Sequence, residues 1–468
     1  MQLILIVQVS IALLVGELAG SLPITAGWGA VCLLFAPVSV LLHGAILSAY
    51  AHRGMDRGSR RGVELLFASN GRIGWQVCLL LALAAGSGLP ETLASLAGWA
   101  LVSILLLVTA IGSTLLVYAT TWSVEKRLRE SSIVRGLDAL APVHPMPSRA
   151  GYVLAQARAG LVPMLAPLVV PITLGELSRQ LALLHWPDLA EQARLAGGMA
   201  GALLLFVLVP LIVPPLLGLT RLSPGELRDD LEALARGAGV GVREIWVWPT
   251  DGLIANAAVM GVLPGLRCVM LSDCLLESMP RPYVRTVMAH ELGHVAHRHL
   301  AWMLAVILGC WTVASGAITP VAQHLAEEFA QANAAVSEES IVQVASLARD
   351  AGVLVLGLLL FGYASRRFER QADTYAVQLL SRGEGATAAT APAVEAMIGA
   401  LGSVALLNHV PPARPSWRHG SIAWRQDYLR AITGERLDAM PIDAFAAVLR
   451  WGALAVVAAG ALLGIFPF

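Results

Sequence analysis

The sequence predicts a mainly α-helical, polytopic membrane protein that carries one small α+β domain in water, and three observations predict it. The 468-residue chain is 57% hydrophobic and 14% charged, with mean hydropathy +0.69, whereas soluble domains carry about 25% charge. Nearly uncharged runs of membrane-spanning length recur along it. Between two of those runs, residues 221–299 regain charge, capping signals and β-rich segments. With 32 basic and 32 acidic side chains the formal net charge is zero, so composition gives no reason to expect a nucleic-acid partner or a polybasic lipid-binding tail. Cys32, Cys78, Cys268, Cys274 and Cys310 show no CxxC spacing, which argues against a disulfide framework or a cysteine-zinc site.

Taken in order, the candidate membrane segments are 3–22, 26–50, 73–89, 96–118, 160–175 and 195–219, then 300–321, 351–364 and 445–468, about nine helices in all. The first contains Glu17 and lacks a basic n-region, so it reads as an anchor rather than a cleavable signal. Residues 160–175 and 351–364 are short. Prolines 163, 167, 171, 210, 214 and 215 predict kinks whose freed carbonyls need other partners. Glu17 and His43, inside apolar runs, are either functional groups or polar contacts within the bundle.

The loops 51–72 and 123–150 are rich in basic residues, with Arg53, Arg57, Arg60, Arg61 and Arg72 in the first and Lys126, Arg127, Arg129, Arg135 and Arg149 in the second. The opposite connections are poor in basic residues, and the one near 327–349 carries Glu327, Glu328, Glu338 and Glu339 against Arg349. The positive-inside rule then puts the basic loops, and residues 221–299 with them, in the cytoplasm. The expected division is an N-terminal bundle (1–219), a catalytic domain (220–442) interrupted by a membrane hairpin (about 300–364), and a last membrane helix (443–468).

Within the water-facing stretch, Ser223-Pro-Gly-Glu226 reads as a capping box opening a helix to Arg236, closed by Gly237. Residues 243–248 and 267–271 are β-rich and separated by turn signals. An exposed edge of such a sheet is able to hold an extended peptide.

Next comes His290-Glu291-Leu292-Gly293-His294, an HExxH pattern in an apolar helical context. One turn apart on one helix face, His290 and His294 reach a common metal while Glu291 projects beside it. The competing reading is a helix that carries histidines for packing. Two imidazoles leave zinc underligated, and a catalytic site keeps one position for water. The metzincin continuation fails, since His297 and Leu300 stand where it requires Gly and His. Past the hairpin, Glu369 and Asp373 lie one turn apart; the first is a candidate ligand and the second a brace for a ligand imidazole. An out-and-back hairpin returns Glu369 to the side of His294. The alternative for Glu369 is a carboxylate paired with Arg366, Arg367 or Arg370. His297 and His299 read as interfacial residues where the helix descends toward the bilayer.

These residues resemble a known family. Glu244-Ile-Trp-Val, Asn256-Ala257, Leu271-Ser-Asp-Cys-Leu-Leu, Ala289-His-Glu-Leu-Gly-His-Val and Ser365-Arg-x-x-Glu-x-x-Ala-Asp373 are similar to the integral-membrane gluzincins that comprise the type-1 CAAX prenyl endopeptidases and HtpX. The resemblance covers roughly residues 220–430. It implies one zinc per chain on His290, His294 and Glu369, Glu291 as general base and acid, Asp373 supporting a ligand histidine, and Asn256 at the substrate cleft. The family's C-terminal His-Pro with Arg six residues after the His is matched by His419 and Arg425, with Gly420 in place of Pro; in the family they bind substrate or stabilise the oxyanion. The alternative is a juxtamembrane basic cluster with snorkelling Trp417 and Trp424.

The expected function is a zinc metalloendopeptidase that cuts membrane or membrane-associated proteins, in quality control, with its active site on the cytoplasmic side of a bacterial inner membrane. Processing of lipidated CAAX-type peptides is the second enzymatic reading. A non-catalytic zinc-binding membrane scaffold or transporter is the reading from another class.

Overall fold

The computed structural model describes residues 25–59, 61–97, 99–137, 146–252, 254–332, 338–408 and 410–463. Two compact units, Met1–Ala202 and Leu203–Phe468, divide the chain. In the first, α1 (Ala26–Asp56), α2 (Arg61–Ala85), α3 (Leu89–Ala97), α4 (Trp99–Leu137) and α5 (Arg149–His185) precede a 3-10 turn (Pro187–Leu189) and α6 (Ala190–Leu217), which runs on into the second. The turn before α5 ends at Ser148, whose hydroxyl accepts the Gly151 N–H at 3.2 Å. Such a side-chain acceptor satisfies one of the helix's free donors. The interior of this unit consists of small apolar clusters, for example Ala36, Val40, Ile73 and Val77. His43, without an evident partner in the sequence, meets Ser69 at 2.9 Å.

Two expectations about this half change. The predicted loop 51–72 is helical over its described residues except for 57–59, because α1 and α2 extend past their apolar stretches. The predicted loop 123–150 is helical up to Leu137, and residues 138–145 lie outside the described set. Charged residues at a membrane boundary are good helix formers, so the loss of hydropathy marks the interface rather than the end of the helix.

The second unit opens with β1 (Thr220–Arg221), α7 (Glu226–Gly237), β2 (Glu244–Trp248), β3 (Ala257–Met260), β4 (Cys268–Ser272), α8 (Asp273–Ser278) and α9 (Arg281–Ala296). It continues with α10 (His299–Ala332), α11 (Glu338–Gly383), α12 (Ala391–Leu407), α13 (Ile422–Ala431) and α14 (Pro441–Leu462). The sheet runs β1-β2-β4-β3. The strand β2 is parallel to β4, and β3 is antiparallel to β4 in the register Ala257↔Leu271. One side of β3 therefore remains unpaired within the sheet. The core joins sheet and helices through Ile245, Leu271, Leu275, Met288, Leu292 and Leu429, each at most 1% exposed.

The capping box before α7 is not formed. Gly225 is the N-cap, with no side-chain cap, and Glu226 instead reaches Arg281 at 2.8 Å. The division between the two compact units falls inside α6, and α14 packs on α10 and α11 within the second unit.

Seven of the described helices are long and apolar enough to cross a membrane, which makes this an integral membrane protein. They correspond to seven of the nine predicted segments. Residues 3–22 lie outside the described residues, and 160–175 falls within α5, which is not among the seven. In the apolar part of α11 only 6% of the residues are buried, as a lipid-facing helix requires. Its 46 residues span about 69 Å against the roughly 30 Å of a bilayer core. The surplus at its C-terminal end enters the folded domain and carries Glu369 and Asp373 there.

Candidate metal centre

The helix α9 is held by burial along one side, with Val284, Met288, Ala289 and Leu292 at most 1% exposed. Its partner is α11, and the approach is close: a Cβ on Gly293 would lie 3.0 Å from the Ala372 Cα. Of the two positions between the motif histidines, Leu292 is buried and Gly293 leaves little room for any side chain. This contact brings the two-histidine face of α9 against Glu369 and Asp373.

His290 Nε2 lies 3.7 Å from a Glu369 oxygen and 3.3 Å from His294 Nε2, and His294 Nε2 is 3.7 Å from the other Glu369 oxygen. One donor atom from each of the three lies within 4.8 Å of the others. Two imidazole nitrogens and a carboxylate oxygen are a zinc donor set with a fourth position left over, so the residues present fit the metal the sequence implies.

Around this triad the supports differ. His290 Nδ1 lies 2.9 Å from Asp373 Oδ1. Asp373 is wholly buried and accepts two bonds from Arg425, Nε at 2.7 Å and Nη2 at 2.6 Å. Arg425, 6% exposed, also stands 3.4 Å from Glu369. Its guanidinium is aimed at Asp373 and Glu369, and Arg425 lines the same cavity as Glu369, so it is not a surface cation. His419 is half exposed, with Nδ1 3.0 Å from Glu369. The arginines that offered Glu369 an alternative partner point elsewhere: Arg366 donates to the Trp417 carbonyl, and Arg367 and Arg370 lie over aromatic rings.

Gly420 adopts φ +75°, a conformation closed to proline. The departure from His-Pro is therefore consistent with the local backbone, which turns here into the Ser421 cap of α13, whose Oγ accepts from Trp424 N–H at 3.2 Å.

The triad opens into a cavity of about 1140 Å³ whose wall includes Asn256, the free side of β3, Met397 and His419. Glu291 faces this space, and its Oε2 accepts the Val259 N–H of β3 at 3.2 Å. Asn256 is exposed there, and its backbone is fixed by reciprocal bonds with Ser272 at 2.9 Å. The strand β3 escaped the sequence reading because Ala-Ala-Val-Met carries little β signal; its position between two turn signals was the one clue.

Burial raises the Glu291 carboxyl above the usual range, with the nearby Glu369 charge adding to it. Burial lowers His294 to about 4. For His290, burial also opposes the charge, but the Asp373 carboxylate outweighs it and the pKa is raised.

The expectation for His299 is overturned. It is 2% exposed, bonded to His294 Nδ1 at 2.9 Å and to Gln371 Oε1 at 3.0 Å. The reason is local: α9 ends at Ala296 and Arg298 takes φ +54°, which turns the chain and sends the His299 side chain back toward the site. His297 is partly buried, 4.0 Å from Asp443.

Residues 222–429 match the model of peptidase family M48. The chain is 24% identical over 193 residues to a protease HtpX homolog of Acidovorax ebreus, covering 40% of this chain and 65% of that one. It is 25% identical over 185 residues to a CAAX prenyl protease 1 homolog of Oryza sativa subsp. japonica, covering 38% and 42%. The match thus spans less than two thirds of either relative. Among solved structures, S. mikatae Ste24p aligns over 86% of this chain and 98% of its own, at 13% identity and TM-score 0.38. The family implies a metal, generally zinc, and the His290, His294 and Glu369 group is where this chain can hold one. The match to the peptidase family M48 model thus falls on the HExxH-bearing region, residues 222–429, and the chain is similar there to its HtpX and CAAX prenyl protease 1 relatives.

Proposed function

We propose that this protein is a membrane-embedded zinc endopeptidase, with one zinc per chain held by His290, His294 and Glu369. The observation that carries the reading is the convergence of those three donors beside Glu291 and the free side of β3, within one cavity. Zinc bound there supplies a Lewis acid and lowers the pKa of a coordinated water. Glu291 takes the proton of the attacking water and later passes it to the leaving amine. Its raised pKa suits it to hold that proton between the two steps. The edge of β3 accepts the substrate backbone as an added strand, with Asn256 at its start. His419, on the open side of Glu369, is placed to donate to the developing oxyanion. Arg425 and Asp373 hold the ligands rather than the substrate.

The substrates on this reading are membrane or membrane-associated proteins, cut in quality control at the cytoplasmic face of a bacterial inner membrane. That side is supported by the basic residues at 53–61 and 126–129, on the condition that α5 crosses the membrane in addition to the seven helices above. A second reading, hydrolysis of lipidated CAAX-type peptides, is favoured by the apolar cavity wall at Met397, Leu401 and Val404; faster cleavage of a farnesylated peptide than of its unlipidated twin supports it. In the scaffold or transporter reading, Glu291 has no task.

The test is the purified full chain against Glu291→Gln on an unfolded protein substrate. Retained zinc with hydrolysis lowered about 10²- to 10⁴-fold is expected. Hydrolysis at the wild-type rate rejects the endopeptidase reading.

A further inference from the structure

His290 and His294 are both proposed ligands, yet only His290 has a carboxylate behind its second nitrogen. Behind His294 lie two uncharged side chains and then a carboxylate, drawn from three helices. His294 Nδ1 is 2.9 Å from His299 Nδ1, His299 Nε2 is 3.0 Å from Gln371 Oε1, and Gln371 Nε2 donates to Asp443 Oδ1 at 2.7 Å. His299 is clamped in this line by stacking on Phe368, with ring centroids 4.6 Å apart and planes 12° apart. Gln371 is 1% exposed.

The polarity of the line follows from its outer end. A carboxylate only accepts, so the Gln371 group facing Asp443 is the NH₂ and the group facing His299 is the carbonyl. That carbonyl requires His299 Nε2 to carry hydrogen. In a neutral imidazole the other nitrogen is then an acceptor, so His294 must donate from Nδ1. His294 Nε2, the atom nearest Glu369 and His290, is left with its lone pair toward the metal.

We propose that His299, with Gln371 and Asp443 behind it, is a positioning residue that fixes the tautomer and ring orientation of His294 for metal binding. Asp443 sits in the first turn of α14, so this line ties the last membrane helix to the metal centre. The inference rests on the metal-centre reading above.

The test is the zinc affinity of the purified full chain, by chelator competition, a readout independent of substrate. Partners of a ligand histidine are worth about 10- to 100-fold in metal affinity. His299→Leu is expected to weaken zinc by that factor. His299→Asn, whose side-chain oxygen can accept from His294 Nδ1, is expected to recover most of the loss. Should His299→Leu fail to fold, Gln371→Leu removes the carbonyl and is expected to cost several-fold. Wild-type affinity in His299→Leu or in Gln371→Leu overturns the proposal, as does a loss in His299→Asn equal to that in His299→Leu. His290→Ala is the control: if it binds zinc like the wild type, the metal-centre reading itself has failed, and this inference with it.

Discussion

The two histidines of the HExxH motif are chemically identical and one turn apart, but their surroundings are built on opposite principles. Behind its second nitrogen His290 leans on a buried ion pair, Asp373 with Arg425, whereas His294 Nδ1 leans on uncharged groups, and the carboxylate at the end of that line, Asp443, is three links away. Their proton affinities differ accordingly: burial opposes the charge on both, but the Asp373 carboxylate hydrogen-bonded to His290 raises its pKa, whereas for His294 burial outweighs the more distant carboxylates and lowers it to about 4. One side of the site is strong and charge-dependent, the other weak and geometric. The difference implies that the two sides fail in different ways.

The largest effect is expected from breaking the charged side. Arg425→Ala leaves Asp373 buried without its cation, and losing one partner of a buried pair costs about 3–5 kcal/mol. A sharply lowered thermal midpoint for the purified protein is the expected outcome, with zinc only partly restoring it. A midpoint equal to wild type contradicts the role given to the pair.

Acid should act first on His290. Because its pKa is raised, a proton competes with the metal there as pH falls through that value, and apparent zinc affinity drops about tenfold per pH unit below it. His294 adds a second proton only near pH 4. Asp373→Asn removes the charge that raises His290, so the onset of the acid loss moves to lower pH while the affinity at neutral pH falls. An onset unchanged by Asp373→Asn means that the carboxylate is not what tunes His290.

Much of this site was legible in the sequence, for reasons of period and topology. HExxH needs only the helical repeat, and Glu369 follows from a hairpin that must return to its own side of the membrane. Strands β2 and β4 carry enough Ile, Val and Trp to be read directly. His299 was not legible, because its position depends on a left-handed residue at Arg298 that no composition rule marks. The pairing of Arg425 with Asp373 was not legible for a similar reason: its spacing from His419 says nothing about which way a guanidinium points. The ends of α1 and α2 were hidden because hydropathy reports lipid contact, not backbone hydrogen bonding.

The smallest effect is expected at the rim, where His419 meets Glu369 from the exposed side. Gly420→Ala places a Cβ at φ +75° and 2.8 Å from the Trp424 ring, at a cost of about 1–2 kcal/mol. The expected result is a modest loss of stability with a lower kcat, zinc affinity being unchanged. A large loss of zinc would show that the rim is part of the metal support.

The central claim is that one zinc sits on His290, His294 and Glu369, and X-ray absorption at the zinc edge of the purified full chain tests it most directly. The account predicts one zinc per chain with only nitrogen and oxygen neighbours, at about 2.0–2.2 Å, including a two-imidazole signature that His294→Ala removes in part. A sulfur neighbour at about 2.3 Å, or a spectrum untouched by His294→Ala, would contradict it.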